Sequence, residues 1–177
     1  VSDLRRFYYS QLGKLTQRFL LERFRNCWPN LTGKRVLSIG YGIPYMNRPN
    51  DKAERSLAAM PQGQGVIHWP PNQPNVVVLT DERKLPFPDN SIDRVLLVHA
   101  VEFTEHLRPM LRETWRTLAS GGRVLVVVPN RRYDVFWVVG KLSETNLVRF
   151  SLGDRERELG AGLVLPPDRD IDVVTAV

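Results

Sequence analysis

Nothing constrains this chain more than four short runs that are apolar on both faces of an extended backbone. They are Val36 to Ile39, Val76 to Leu79, Arg94 to Val98 and Arg123 to Val128, the last two each behind a leading arginine. A strand with one solvated face alternates apolar and polar residues, and these runs do not, so both of their faces are expected to be covered. Between the third and fourth runs, Leu107, Met110, Leu111, Trp115 and Leu118 recur at helical spacing. Buried strands alternating with helices imply an α/β fold with a mostly parallel sheet and helices on both faces.

The flanking segments fit that plan. Leu4, Phe7, Tyr8, Leu12, Leu15, Phe19 and Leu20 mark one amphipathic leading helix within residues 1–32. Trp28-Pro29-Asn30 ends it, because proline disfavours helix in the residue before it. Residues 43–75 are rich in proline, with strands expected around Ser56 to Met60 and Gly65 to Trp69. Pro86 to Asn90 is turn chemistry, and Gly121-Gly122 reads as the C-cap of the preceding helix. Leu163-Val164-Leu165, a turn over Pro166 to Asp170, and Ile171 to Val174 predict a closing antiparallel hairpin.

With 177 residues the chain is expected to form one domain, 1–177, whose core begins at residue 33. Its longest apolar run, Val95 to Val101, is broken by His99 and too short to cross a bilayer. The single cysteine, Cys27, permits no internal disulfide and suggests a reducing compartment, with the cytoplasm as the default. No secretory signal is read at the start, which is Val1. The net charge of +6 is localised. Arg5, Arg6, Lys14, Arg18, Arg23, Arg25, Lys34 and Arg35 face only Asp3 and Glu22 in the first 35 residues, and the remainder balances at 17 against 17. Such a segment attracts nucleic acid, anionic lipid or a phosphorylated substrate, or is simply a solvated helix face, the simpler reading.

The first apolar run ends in Gly40-Tyr41-Gly42. Glycines there let backbone amides approach a ligand, since no Cβ collides. The dinucleotide fingerprint requires a further glycine where Tyr45 stands, which excludes that version. Four segments then fall in order: Val36 to Gly42, Asp81-Glu82-Arg83-Lys84-Leu85-Pro86-Phe87-Pro88-Asp89-Asn90-Ser91-Ile92-Asp93, Arg94 to Ala100, and Leu118 to Val128. Together they resemble the S-adenosylmethionine-dependent methyltransferase superfamily, in particular its type 11-like members. More narrowly, Pro29, Gly40 to Tyr45, His68-Trp69-Pro70 and Val128 to Arg131 resemble an uncharacterised bacterial branch of it.

The resemblance implies a Rossmann-like sheet of about seven strands with S-adenosylmethionine across the carboxyl ends. It implies Gly40, Tyr41, Gly42, Met60, Asp81, Glu82 and His99 as cofactor-contacting residues, with Asp81 near the adenine amino group. The superfamily usually has an acidic residue at Ser38, a small residue at Pro44 and a ribose-binding carboxylate where Met60-Pro61 would end the second strand. A methionine packs on adenine but accepts no strong hydrogen bond. His99, at a strand end, is a candidate base titrating near neutrality. His99, Glu102 and His106 suggest metal ligation, but a strand-end histidine breaks the helical spacing that reading needs. Tyr8 and Tyr9 read as core and rim residues, or as a cap on the cofactor site. No Ser-His-Asp arrangement, phosphate loop or cysteine zinc site is present.

The expected function is methyl transfer to an acceptor the sequence does not name. The alternative is a non-catalytic protein of the same fold that binds a ligand or partner. A third reading is an RNA-associated methyltransferase or RNA binder using the basic leading helix.

Overall fold

The computed structural model describes residues 2–46, 52–129, 150–152, 155–157 and 170–176. Two helices open the chain, α1 (Ser2–Tyr9) and α2 (Gln11–Cys27), where the sequence suggested one. Ser10 makes the break. Its hydroxyl accepts from the Gly13 amide at 3.1 Å while its backbone is extended, as an N-cap requires. Gly13 permits the tight corner, since a Cβ there would lie 2.0 Å from the Phe7 carbonyl oxygen.

Then follow β1 (Arg35–Gly40), a one-turn α3 (Ile43–Met46), β2 (Arg55–Pro61), β3 (Val77–Thr80), β4 (Ile92–Val98), α4 (Leu107–Thr117) and β5 (Leu118–Pro129). After these come β6 (Phe150–Leu152), β7 (Arg155–Arg157) and β8 (Asp170–Ala176). The main sheet runs in the order β3-β2-β1-β4-β5-β8. All its pairings are parallel. A separate antiparallel ladder joins β6 to β7. The expected α/β architecture is therefore present, with six strands in the main sheet among the described residues.

Two local expectations are corrected. No strand forms between Gly65 and Trp69. α4 ends at Thr117 with Leu118 as its C-cap, so the glycine pair is not the cap. Instead Ile92 pairs with Leu118 and Arg94 with Arg123, and residues 119–122 bulge from the sheet with Gly121 at φ +68°. The strand carrying Ile171 to Val174, one arm of the expected hairpin, pairs with β5 in parallel. The other arm of that hairpin, Leu163 to Leu165, lies outside the described residues.

Side chains alternate across the sheet with period two. Leu37, Ile39, Val95, Leu97, Val124 and Val126 point to one face, where Leu107, Met110 and Leu111 of α4 cover them. Val36, Leu96, Val98, Leu125 and Val127 point to the other, against Leu20 and Phe24 of α2. Each such side chain contributes about 1.5–3 kcal/mol on burial, so the two-sided core dominates stability.

At the amino ends, Asp93 ties β4 to β1. Its Oδ2 accepts from the Arg35 amide at 2.8 Å and from Nε at 2.9 Å, and Oδ1 accepts from Nη2 at 3.2 Å. These bonds from Arg35 hold the Asp93 carboxyl below its ordinary value. A depressed folded-state value stabilises above the unfolded carboxyl pKa of about 3.9 and is lost as the pH falls through the folded value. Asp93→Asn is expected to cost about 1 kcal/mol at neutral pH, a modest figure because Arg35 is part-exposed. Urea midpoints of variant and wild type should converge under acid. A gap that stays constant down to the acid limb contradicts this role.

Candidate functional site

The chain steps from β1 to β2 in one direction and reaches β4 on the other side of β1. In open parallel sheets the crevice at such a switch point, outside the carboxyl ends of the strands, is where ligands bind. Gly40 ends β1 there, and His99 follows β4.

Both termini adopt the left-handed backbone, Gly40 at φ +87° and His99 at φ +51°. Glycine does so freely, whereas for histidine it costs on the order of 1 kcal/mol and must be held by its surroundings. Those surroundings are a chain of hydrogen bonds. Glu102 Oε1 lies 2.8 Å from His99 Nδ1, Tyr8 Oη lies 2.9 Å from His99 Nε2, and Tyr45 donates its hydroxyl to Tyr8 at 2.8 Å. A carboxylate only accepts, so the imidazole proton is assigned to Nδ1, and Nε2 then accepts from Tyr8. Every link has a direction: Tyr45 to Tyr8 to His99 to Glu102. Gln64 adds its side-chain amide, which donates to the His99 carbonyl.

The network is nearly dry. Tyr8 and Tyr45 are buried, and the His99 and Glu102 side chains are 12% and 7% exposed. Burial pushes the Tyr8 phenol up to about 12, and Tyr45 is raised further for the same reason. The Tyr8 ring also stacks on Tyr41, with centroids 5.7 Å apart at 29°. Two acceptors here, Gln64 Oε1 and Glu102 Oε2, are buried without a hydrogen-bond partner. Such acceptors are costly to leave unmade, by about 1–3 kcal/mol each.

The expected contact residues are distributed unevenly around this point. Tyr41 joins the cluster through Tyr8, and its amide donates to the Val98 carbonyl at 2.8 Å. Gly40 and Gly42 are needed by the protein itself. A Cβ on Gly40 would sit 2.2 Å from the Val98 carbonyl oxygen, and one on Gly42 would sit 1.8 Å from Ser38 Oγ. Met60 is wholly buried on the α2 side of the sheet, so its thioether is core. Asp81 is engaged by Arg83 at 2.7 Å, and those hydrogen bonds hold its carboxyl near 2. Glu82 accepts from the Thr104 hydroxyl at 3.0 Å. His106 sits at the N-cap of α4 and does not join His99 and Glu102. Among the described residues no cluster of three or more His, Cys, Asp or Glu side chains could hold a metal ion.

The segment from Asp81 to Asp93 is positioned by two residues that sequence reading passed over. Arg116 of α4 donates to the carbonyls of Leu85 and Phe87 and to Asp89 Oδ1, while Glu113 accepts from the Leu85 amide at 2.9 Å. Glu113 and Arg116 also pair with each other at 2.8 Å. The signal was present as an i, i+3 charge pair on a helix facing a turn, but its target was not visible locally.

Residues 54–126 match the family model of the methyltransferase domain. The match starts after the glycine turn and takes in β2 to β5. The fold resembles a structure from Methanococcus maripaludis described as an S-adenosyl-L-methionine-dependent methyltransferase, at 18% identity and TM-score 0.51, over 67% of this chain and 58% of that one. The chain thus spans under two thirds of that protein's length. The YcgJ protein of Bacillus subtilis matches at 18% identity over 63% and 52% of the two chains, TM-score 0.43. A Thermotoga maritima SAM-dependent methyltransferase matches at 21% over 68% and 59%, TM-score 0.38. Only the first superposes closely enough to speak to the fold. No curated protein matches the chain. The resemblance read from the motifs is borne out by the family match and the shared architecture.

Two outcomes follow from the packing. Gly42→Ala is expected to cost about 1–3 kcal/mol by overpacking against Ser38, and Ser38→Gly to recover much of it. A urea-melt double-mutant cycle showing no coupling contradicts the contact. Tyr8→Phe should cost more than Tyr45→Phe, because it strips partners from both Tyr45 and His99. Since the buried phenols are raised, their contribution is complete below about pH 10 and is lost as the pH rises through the folded values. Ultraviolet titration should find these two tyrosines ionising with unfolding rather than before it.

Proposed function

We propose that the protein is an S-adenosylmethionine-dependent methyltransferase whose cofactor site lies at the carboxyl ends of β1, β2 and β4. What carries the reading is the match of residues 54–126 to the methyltransferase domain, joined to the glycine turn and His99 at the carboxyl ends of β1 and β4. Gly40, Tyr41 and Gly42 would form the β1 side of the site, and Asp81 and Glu82 the β3 side. Bound S-adenosylmethionine supplies an already activated methyl group, so orientation provides much of the rate. His99, fixed by Glu102 and Tyr8, would line the β4 side of the site. The acceptor itself is not named by these residues. On the strength of a single cysteine, we place this activity in a reducing cytoplasm.

A second reading rests on a specific observation. The second strand ends in Met60-Pro61, with no carboxylate to accept from ribose hydroxyls, and Tyr8, Tyr41 and Gln64 are buried around the switch point. A binding module that kept the fold without the reaction would look the same. RNA modification remains a variant of the first reading, and nothing at the site favours it.

Isothermal calorimetry with S-adenosylmethionine and S-adenosylhomocysteine separates the two. Binding is expected, weakened about tenfold or more by Glu102→Ala. No heat at millimolar ligand sinks the cofactor assignment in favour of the module.

A further inference from the structure

The outer face of α2 is apolar where a surface helix is normally polar. Leu12, Leu15 and Phe19 are 65%, 63% and 43% exposed, and Tyr9 at the end of α1 is 70% exposed. Their spacing of three and four places the α2 residues in one stripe, apart from Gly13, Leu20 and Phe24, which pack inward. Cations line both edges. By helical spacing, Lys14, Arg18 and Arg25 follow one flank and Arg23 the other, all of them exposed. The Arg23 guanidinium lies 5.2 Å from the Phe19 ring centroid, and that of Arg5 lies 5.7 Å from the Tyr9 ring. On α1 and α2 six basic residues meet only Asp3 and Glu22.

We infer that α1 and α2 form an interfacial docking surface for an anionic lipid membrane. The charge pattern selects the occupant. Long cationic side chains beside an apolar stripe reach phosphate headgroups while leucine and phenylalanine enter the acyl boundary. A second copy of this chain would bring two like-charged faces together. Nucleic acid would satisfy the arginines but offers nothing to two exposed leucines. Such a helix lies on the bilayer without crossing it, in keeping with the absence, among the described residues, of any helix long and apolar enough to span. The inference stands whether or not the cofactor site is active, because none of the residues it rests on is a proposed cofactor contact.

Co-sedimentation with phosphatidylcholine vesicles, with and without phosphatidylglycerol, tests it. Binding is expected only with phosphatidylglycerol, falling as salt is raised. Arg18→Gln should lower affinity about fivefold. Leu15→Asp or Phe19→Asp should lower it by roughly tenfold or more, with circular dichroism and urea midpoint unchanged. Three results overturn the inference: no sedimentation with anionic vesicles at low salt, binding that ignores Leu15→Asp and Phe19→Asp, or equal binding to uncharged vesicles. RNA binding in place of vesicle binding, or dimerisation abolished by Leu15→Asp, reassigns the face to nucleic acid or to a second copy.

Discussion

β1 and β4 lie side by side with helices on both faces, and the close backbone contact at their carboxyl ends governs the rest. The Tyr41 amide donates to the Val98 carbonyl just where the two strands finish. That contact requires the chain to turn at once after Gly40, because a Cβ there would strike Val98. The turn brings Tyr41 and Tyr45 over the strand ends, and β4 delivers His99 beside them. α1 then docks Tyr8 onto both. A site assembled from four separate segments thus hangs on one inter-strand register, and the aromatic cluster inherits its geometry from the sheet.

The sheet was legible because its cause is local. A run such as Val95 to Val98, apolar on both faces, has few stable solutions other than a covered strand. The loop from Asp81 to Asp93 was legible as a motif, but not for what holds it. Its turn is secured by Arg116 and Glu113 from a helix more than twenty residues away, and no pattern inside the loop points to them. The break at Ser10 was missed for the opposite reason. The apolar periodicity runs through it, and capping chemistry at one serine and one glycine outweighed the pattern.

The candidate site was the least legible part. Tyr8, Gln64 and Glu102 are far apart in sequence, and each alone reads as ordinary: a core aromatic, a polar loop residue, a helix-region carboxylate. Only the fold sets them around one imidazole. Conversely, residues that matched a family position, Met60 and Asp81, turned out to be engaged by the protein, one in the core and one by Arg83. Hydrogen-bond partnership is a property of three-dimensional neighbours, so sequence names the residue types at a site better than their occupation.

Gly42 carries a lesson of a different kind. The atom that forbids a side chain there is Ser38 Oγ, part of the same chain and present whether or not any ligand ever arrives. Natural selection for a folded protein alone would therefore preserve this glycine through the loss, exchange or gain of a ligand. A lineage that abandoned its chemistry would keep the emblem of it, and the first position to record such a change would be one whose side chain the fold does not use.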